Sequence, residues 1–80
     1  MTIQLLAFGI AKEILQTRTR SFELTEGSNI ENLKTALIAE FPDLSRLQRI
    51  SFAVNEIYVH DNYLLHEGDE VVLIPPVSGG

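Results

Sequence analysis

The sequence predicts an α+β domain, a mixed sheet of four to five strands with one main helix on one face. Three observations predict it. Thr2 to Phe8 near the start and Glu70 to Ile74 near the end are apolar on both faces, which suits strands paired on both sides at a sheet centre. Between them runs one apolar stripe at helical spacing, Ile30, Leu33, Leu37 and Phe41. The 80 residues include no cysteine, so a single core held by packing alone must account for the fold.

Thr2 to Phe8 reads TIQLLAF and is the first strand. Gly9 breaks it, and Ile10 with Ile14 at a four-residue spacing predicts a short helix before Gln16. Arg20 to Thr25 alternates, with Phe22 and Leu24 inward and Ser21, Glu23 and Thr25 outward, a second strand that can pair antiparallel with the first. Ser28 with Glu31 three residues on predicts a capping box at the start of the main helix. Pro42 stops that helix, because its ring clashes with the preceding turn and restricts Phe41. Asp43 to Arg49, holding Leu44 and Leu47, reads as a single helical turn. Ile50, Phe52 and Val54 alternate as a third strand, and Asn55-Glu56 turns the chain into a short segment at Ile57 to Val59. Asp61-Asn62 and Glu67-Gly68-Asp69 are turns before the last strand, which Pro75-Pro76 ends because neither residue can donate to a ladder. Placing the two doubly apolar strands side by side, with the helix over one sheet face, produces a β-grasp roll of the kind ubiquitin adopts. We assign residues 1–75 to this domain and 76–80 to a C-terminal tail.

One helix cannot cover both sheet faces. By alternation, Leu6 and Phe8 of the first strand and Val72 and Ile74 of the last face away from it, and Tyr58 of the short strand joins them. Either a second layer of loops covers these residues or they form a partner-binding patch.

Charge narrows the choice of partner. Six bases, Lys12, Arg18, Arg20, Lys34, Arg46 and Arg49, stand against 11 acids, a net charge of −5. That excludes the basic footprint of a nucleic-acid binder. From Ile50 onward Glu56, Asp61, Glu67, Asp69 and Glu70 occur without one Lys or Arg. This acidic third reads either as a solvated surface or as an end steered towards basic partners. No apolar run approaches the roughly 18 residues of a membrane span, and no secretory signal pattern is present, so the expected location is the cytoplasm, away from membranes.

Catalytic constellations are missing. His60-Asp61 and His66-Glu67 are the only metal-like or base-like pairs; they sit among turn residues with no third strong ligand, so no metal site is expected. Ser78 has no placed histidine, and Gly9, Gly27 and Gly68 are isolated rather than forming a phosphate loop. An autonomous enzyme is not expected, nor an intrinsically bound cofactor.

The end of the chain is different. Pro75-Pro76-Val77-Ser78-Gly79-Gly80 is a stiff stem followed by a tip without side chains. Glycines pass through a channel too narrow for a Cβ, and the tip carries a carboxylate ionised at neutral pH. Such an arm can enter another protein's active site and present its carboxylate as a reactant; the plain alternative is a frayed terminus.

The whole chain resembles the molybdopterin synthase sulfur-carrier subunits, the small ubiquitin-like members of that heterodimeric enzyme. The resemblance lies in Phe8-Gly9-Ile10-Ala11-Lys12-Glu13, in Ala53-Val54-Asn55-Glu56-Ile57-Tyr58-Val59, and above all in the run from Leu65 to Gly80, where the GDEV turn, the double proline and the terminal Gly-Gly occur in order. Gly9 stands where the family often has alanine. The resemblance implies that the Gly80 carboxylate is adenylated with ATP by an adenylyltransferase related to ubiquitin-activating enzymes. A sulfurtransferase or cysteine desulfurase then supplies sulfur to make a thiocarboxylate. It implies further that Pro75, Pro76, Val77, Ser78 and Gly79 thread the active site of the large catalytic subunit. There the sulfur passes to cyclic pyranopterin monophosphate, with the catalytic groups on the partner. The family's partner face matches Phe8, Tyr58 and Ile74, with Leu6 and Val72 beside them.

Rival readings are a thiamine-pathway sulfur carrier with the same chemistry, a ubiquitin-like modifier whose Gly80 is joined to lysines, and a binding module whose tail is inert. Thiamine-pathway chains tend to be shorter and usually lack the Pro-Pro-Val-Ser stem.

Overall fold

The computed structural model describes residues 1–47 and 49–76. In chain order the elements are β1 (Thr2–Ala7), α1 (Gly9–Leu15), β2 (Thr19–Glu23), α2 (Ile30–Glu40), a 3-10 helix (Pro42–Arg46), β3 (Ser51–Val54), β4 (Ile57–Val59) and β5 (Glu70–Ile74). They build one mixed sheet in the order β2-β1-β5-β3-β4. The first and last strands lie side by side and parallel, Leu5 opposite Val71 and Leu6 opposite Val72, while the other pairs are antiparallel. This is the β-grasp roll that the two doubly apolar strands demand.

Alternation sorts the side chains. Ile3, Leu5 and Ala7 of β1, Phe52 and Val54 of β3, and Val71 and Leu73 of β5 form one buried cluster with Ile30, Leu33 and Leu37 of α2. Leu44 of the 3-10 helix and Leu65 of the loop before β5 belong to the same cluster. β4 follows β3 through a two-residue turn in which Asn55 and Glu56 both have positive φ, 49° and 74°. That twist matches two antiparallel strands joined tightly.

Three local expectations need correction. The capping box uses Asn29 and Asn32, not Ser28 and Glu31: the Asn32 N–H donates to Asn29 Oδ1 at 2.8 Å, and the Asn29 N–H to Asn32 Oδ1 at 2.9 Å. Ser28 is buried one residue earlier and donates its hydroxyl to the Thr25 carbonyl at 2.7 Å. In α1 the buried pair is Ala11 and Leu15, whereas Ile14 is half-buried and Ile10 exposed. The apolar spacing is right but the helix is rotated by one residue. Finally, β1 stops at Ala7 because Phe8 serves as the N-cap of α1, and Gly9 follows at φ 56°, which glycine adopts without the Cβ penalty.

Candidate functional site

β1, β5 and β3 turn their odd-numbered or even-numbered core residues towards α2, and the intervening residues line the opposite face. Leu6 stands opposite Val72, Val72 opposite Ala53, and Ala53 opposite Tyr58. These four residues make a continuous row across four strands, and Thr19 of β2 ends it beside Leu6. Ala53 is covered, yet it does not belong to the core cluster under α2. Leu6, Val72 and Ile74 are half-buried, while Phe8 is 48% and Tyr58 70% exposed. All five residues expected on this face are therefore on it, but the open apolar area is concentrated in the two aromatics. Phe8 has extended backbone, φ −132° and ψ 162°, so it continues the alternation of β1 on the side of Leu6. Ile74 lies opposite Ser51, at the end where the chain leaves β5.

Alternation predicts Ala53 and Ser51 on this face as soon as Phe52 and Val54 point inward, but their small side chains carry no hydrophobic signal. A shallow hollow beside them is lined by Ser51, Tyr58 and His60 among others. His60 thus sits next to the apolar row rather than in a metal set. Ile57, 68% exposed, is a further apolar residue of the β4 edge that the sequence reading passed over.

The two ends of the face differ. Towards the start of β5 the residues are polar: Gln4 pairs with Ser21 on one side and Glu70 on the other, and the Gln4 side chain donates to Ser21 Oγ at 2.8 Å. Several nearby acids are committed. The Thr2 N–H donates to Glu67 Oε1 at 2.9 Å, and the Thr2 hydroxyl donates to the Glu23 carboxylate. Asp69 accepts from Asn55 Nδ2 at 3.1 Å and from the His66 N–H at 2.8 Å. These bonds fasten the turn before β5, so the strand leading to the tail starts from a fixed point. His66 Nδ1 lies 4.0 Å from the same Asp69 carboxylate. Among the described residues no three His, Asp or Glu side chains come together as a metal set.

Towards the other end, β5 gives way to Pro75, half-buried, and Pro76, exposed. The stem therefore leaves from the middle of the sheet, flush with the apolar row. Val77, Ser78, Gly79 and Gly80 lie outside the described residues.

Sequence comparison with protein families matches residues 5–80 to the ThiS family. The chain belongs to the ThiS family. The molybdopterin synthase sulfur carrier subunit of Chlamydomonas reinhardtii is 39% identical to this ThiS-family chain over 83 residues, an alignment that covers 100% of both. SAMP1 from Haloferax volcanii, a small archaeal modifier protein, superposes with a TM-score of 0.85 at 25% identity and 100% coverage of both chains. A chain from the complex of subunits 1 and 2 of the molybdopterin-converting factor of Helicobacter pylori shares the fold, with a TM-score of 0.70, 23% identity and 100% coverage of each chain. No helix among the described residues is long and apolar enough to cross a membrane.

Proposed function

We propose that this chain is the sulfur carrier of molybdopterin synthesis, with the Gly80 carboxylate as its one reactive group. The observation that carries the reading is family membership from residue 5 through the terminal Gly-Gly, together with full-length similarity to a named sulfur carrier subunit. A carboxylate is a poor acyl donor. Its oxygen attacks the α-phosphorus of ATP on an activating enzyme, pyrophosphate leaves, and the acyl-adenylate acquires AMP as a good leaving group. The terminal sulfur of a donor persulfide then displaces AMP to give an acyl disulfide, and a second thiol attacks the donor's sulfur, forming a disulfide with it and releasing the thiocarboxylate on Gly80. Threaded into the large synthase subunit, the thiocarboxylate sulfur attacks a side-chain carbon of cyclic pyranopterin monophosphate, and a carbon–oxygen bond at that carbon breaks as the carbon–sulfur bond forms, its oxygen leaving as water or staying with the phosphate. Hydrolysis of the resulting acyl–sulfur bond leaves sulfur on the pterin and regenerates the carboxylate. Two such transfers build the dithiolene.

This chain's residues contribute position rather than catalysis. The row of Leu6, Val72, Ala53 and Tyr58, with Phe8 and Ile74 beside the exit, supplies the docking face for the activating enzyme and for the large subunit in turn. Pro75 and Pro76 keep the stem extended, and Val77, Ser78 and Gly79 occupy the partner's channel. ATP is a substrate of the activating enzyme, and oxyanion-stabilising groups belong to the partners.

Intact-mass spectrometry of protein purified from its native host tests the reading. A sulfur-for-oxygen mass increase, and an ATP-dependent adenylate at Gly80 with the purified activating enzyme, are expected. Absence of both would overturn the carrier assignment. The likeness to a protein named a modifier favours one second reading, in which an amine captures the acyl-adenylate as an isopeptide. A second protein attached through Gly80 in the same experiment distinguishes it.

A further inference from the structure

The fold pairs some charged side chains and leaves others open. On the helix side Arg20 pairs with Glu40, Lys34 with Asp61 at 3.6 Å, and Arg46 with Asp43 at 3.9 Å. Half of the six bases are thereby matched to acids away from the apolar row. Around the start of β5, Glu23, Glu67 and Asp69 are engaged by Thr2, Asn55 and His66. Of the acids from Ile50 onward, Glu56 and Glu70 are left: both are exposed, and no side-chain hydrogen bond or ion pair among the described residues engages either carboxylate. They are neighbours in space, because Glu70 follows on from the Asp69 clamp and its carbonyl accepts the Asn55 N–H at 2.9 Å, next to Glu56 in the turn. They border the apolar row from one side, two residues from Tyr58 and Val72 along β4 and β5. The tail leaves from the opposite side. Glu70 and Ile74 are the two ends of β5, so the charged border and the exit lie about 13 Å apart at roughly 3.3 Å per residue.

We infer that the occupant of this face is a second protein whose apolar surface carries Lys or Arg about 13 Å from the mouth of its tail channel, placed to meet Glu56 and Glu70. The inference rests on the carrier reading and adds the register to it. The apolar row alone allows a partner to dock in several rotations; a charged border on one side and a tail exit on the other allow one. A second copy of this chain fits poorly, since each molecule carries −5 and residues 50–80 contain no Lys or Arg to offer.

The test compares two variants of equal net charge. E56Q/E70Q removes the proposed border, and E13Q/E31Q removes two exposed acids on α1 and α2. Association with the purified activating enzyme and with the large subunit from the same organism is followed by stopped flow at several salt concentrations. At low salt E56Q/E70Q is expected to lower the association rate constant about tenfold and flatten its salt dependence, while E13Q/E31Q stays within about twofold. Equal effects of the two variants, or none from E56Q/E70Q, overturn the inference while wild-type adenylation keeps the carrier reading intact. Wild-type protein that neither binds nor is adenylated overturns the carrier reading itself. Self-association of wild-type protein through this face, seen by sedimentation and lost in Tyr58→Ala, overturns the choice of occupant.

Discussion

Tyr58→Ala separates docking from folding. An aromatic side chain buries about 150–250 Å² when covered. With Tyr58 70% exposed in the free chain, most of that area is still available to a partner. Taking roughly 100 Å² covered on docking, at about 25 cal/mol per Å², binding loses about 2.5 kcal/mol. The phenol oxygen is not apolar, so about 2 kcal/mol is a working value, close to a thirtyfold rise in Kd. Stability should change little, by about 0.5 kcal/mol, because 70% of Tyr58 is already exposed in the free chain. Phe52→Ala is the contrasting perturbation: Phe52 is 2% exposed in the core, and its loss should cost about 3–5 kcal/mol. Calorimetry with the purified large subunit gives Kd, and urea unfolding gives stability. A Kd within twofold of wild type in a folded Tyr58→Ala protein would refute the assignment of this ring to the interface. A stability loss above about 2 kcal/mol would show that the ring belongs to the fold instead.

Removing Gly80, or adding residues after it, should abolish thiocarboxylate formation with the urea midpoint unchanged; mass spectrometry and urea unfolding read both arms. Glu56→Gly should raise stability by about 0.5–1 kcal/mol, because φ 74° strains a residue with a Cβ, and urea unfolding measures it. Asn29→Ala should lower stability by about 1 kcal/mol through loss of the N-cap bond to the Asn32 N–H, whereas Glu31→Ala should cost a few tenths at most, from the helix dipole alone. Equal losses from these two substitutions would return the cap to the Ser28–Glu31 pair.

Strand positions were legible because alternation is a local signal with a period of two. Glu70–Ile74 is read correctly to the residue, and Leu6, Phe8, Tyr58, Val72 and Ile74 all fall on the face that alternation assigns them. The helix cap was not legible, because Ser28–Glu31 and Asn29–Asn32 both satisfy the three-residue spacing. A distant loop decides between them: the Ser28 carbonyl accepts the Leu65 N–H at 2.9 Å, and Asn29 bridges to Leu64. The same loop caps the helix through backbone, with the Ile30 N–H donating to the Tyr63 carbonyl at 3.1 Å and the Glu31 N–H to the Asp61 carbonyl at 2.9 Å. Contacts between residues 30 or more positions apart leave no mark in a local motif. Charge was legible only as a sum. Which acids remain available depends on Thr2, Asn55 and His66 reaching Glu23, Glu67 and Asp69, and that is a property of the folded turn.

In the proposed function the open face and the tail act together, and the topology supplies a reason. A reactive terminus could be carried on an edge strand, where it would swing clear of any surface. Here the last strand is inserted between β1 and β3, so the chain leaves the sheet at its middle, just past the Ala7–Leu73 and Ser51–Ile74 pairs. A partner cannot cover the row from Leu6 to Tyr58 without bringing its own surface to the stem, and it cannot swallow the stem without meeting Phe8 and Ile74. A second helix on this face would bury Tyr58 and Phe8 and raise stability, but it would also block the exit. Leaving one face of a small sheet uncovered sacrifices apolar burial that an 80-residue chain can use. The sacrifice is consistent with a molecule whose reactive atom is useful only inside another protein.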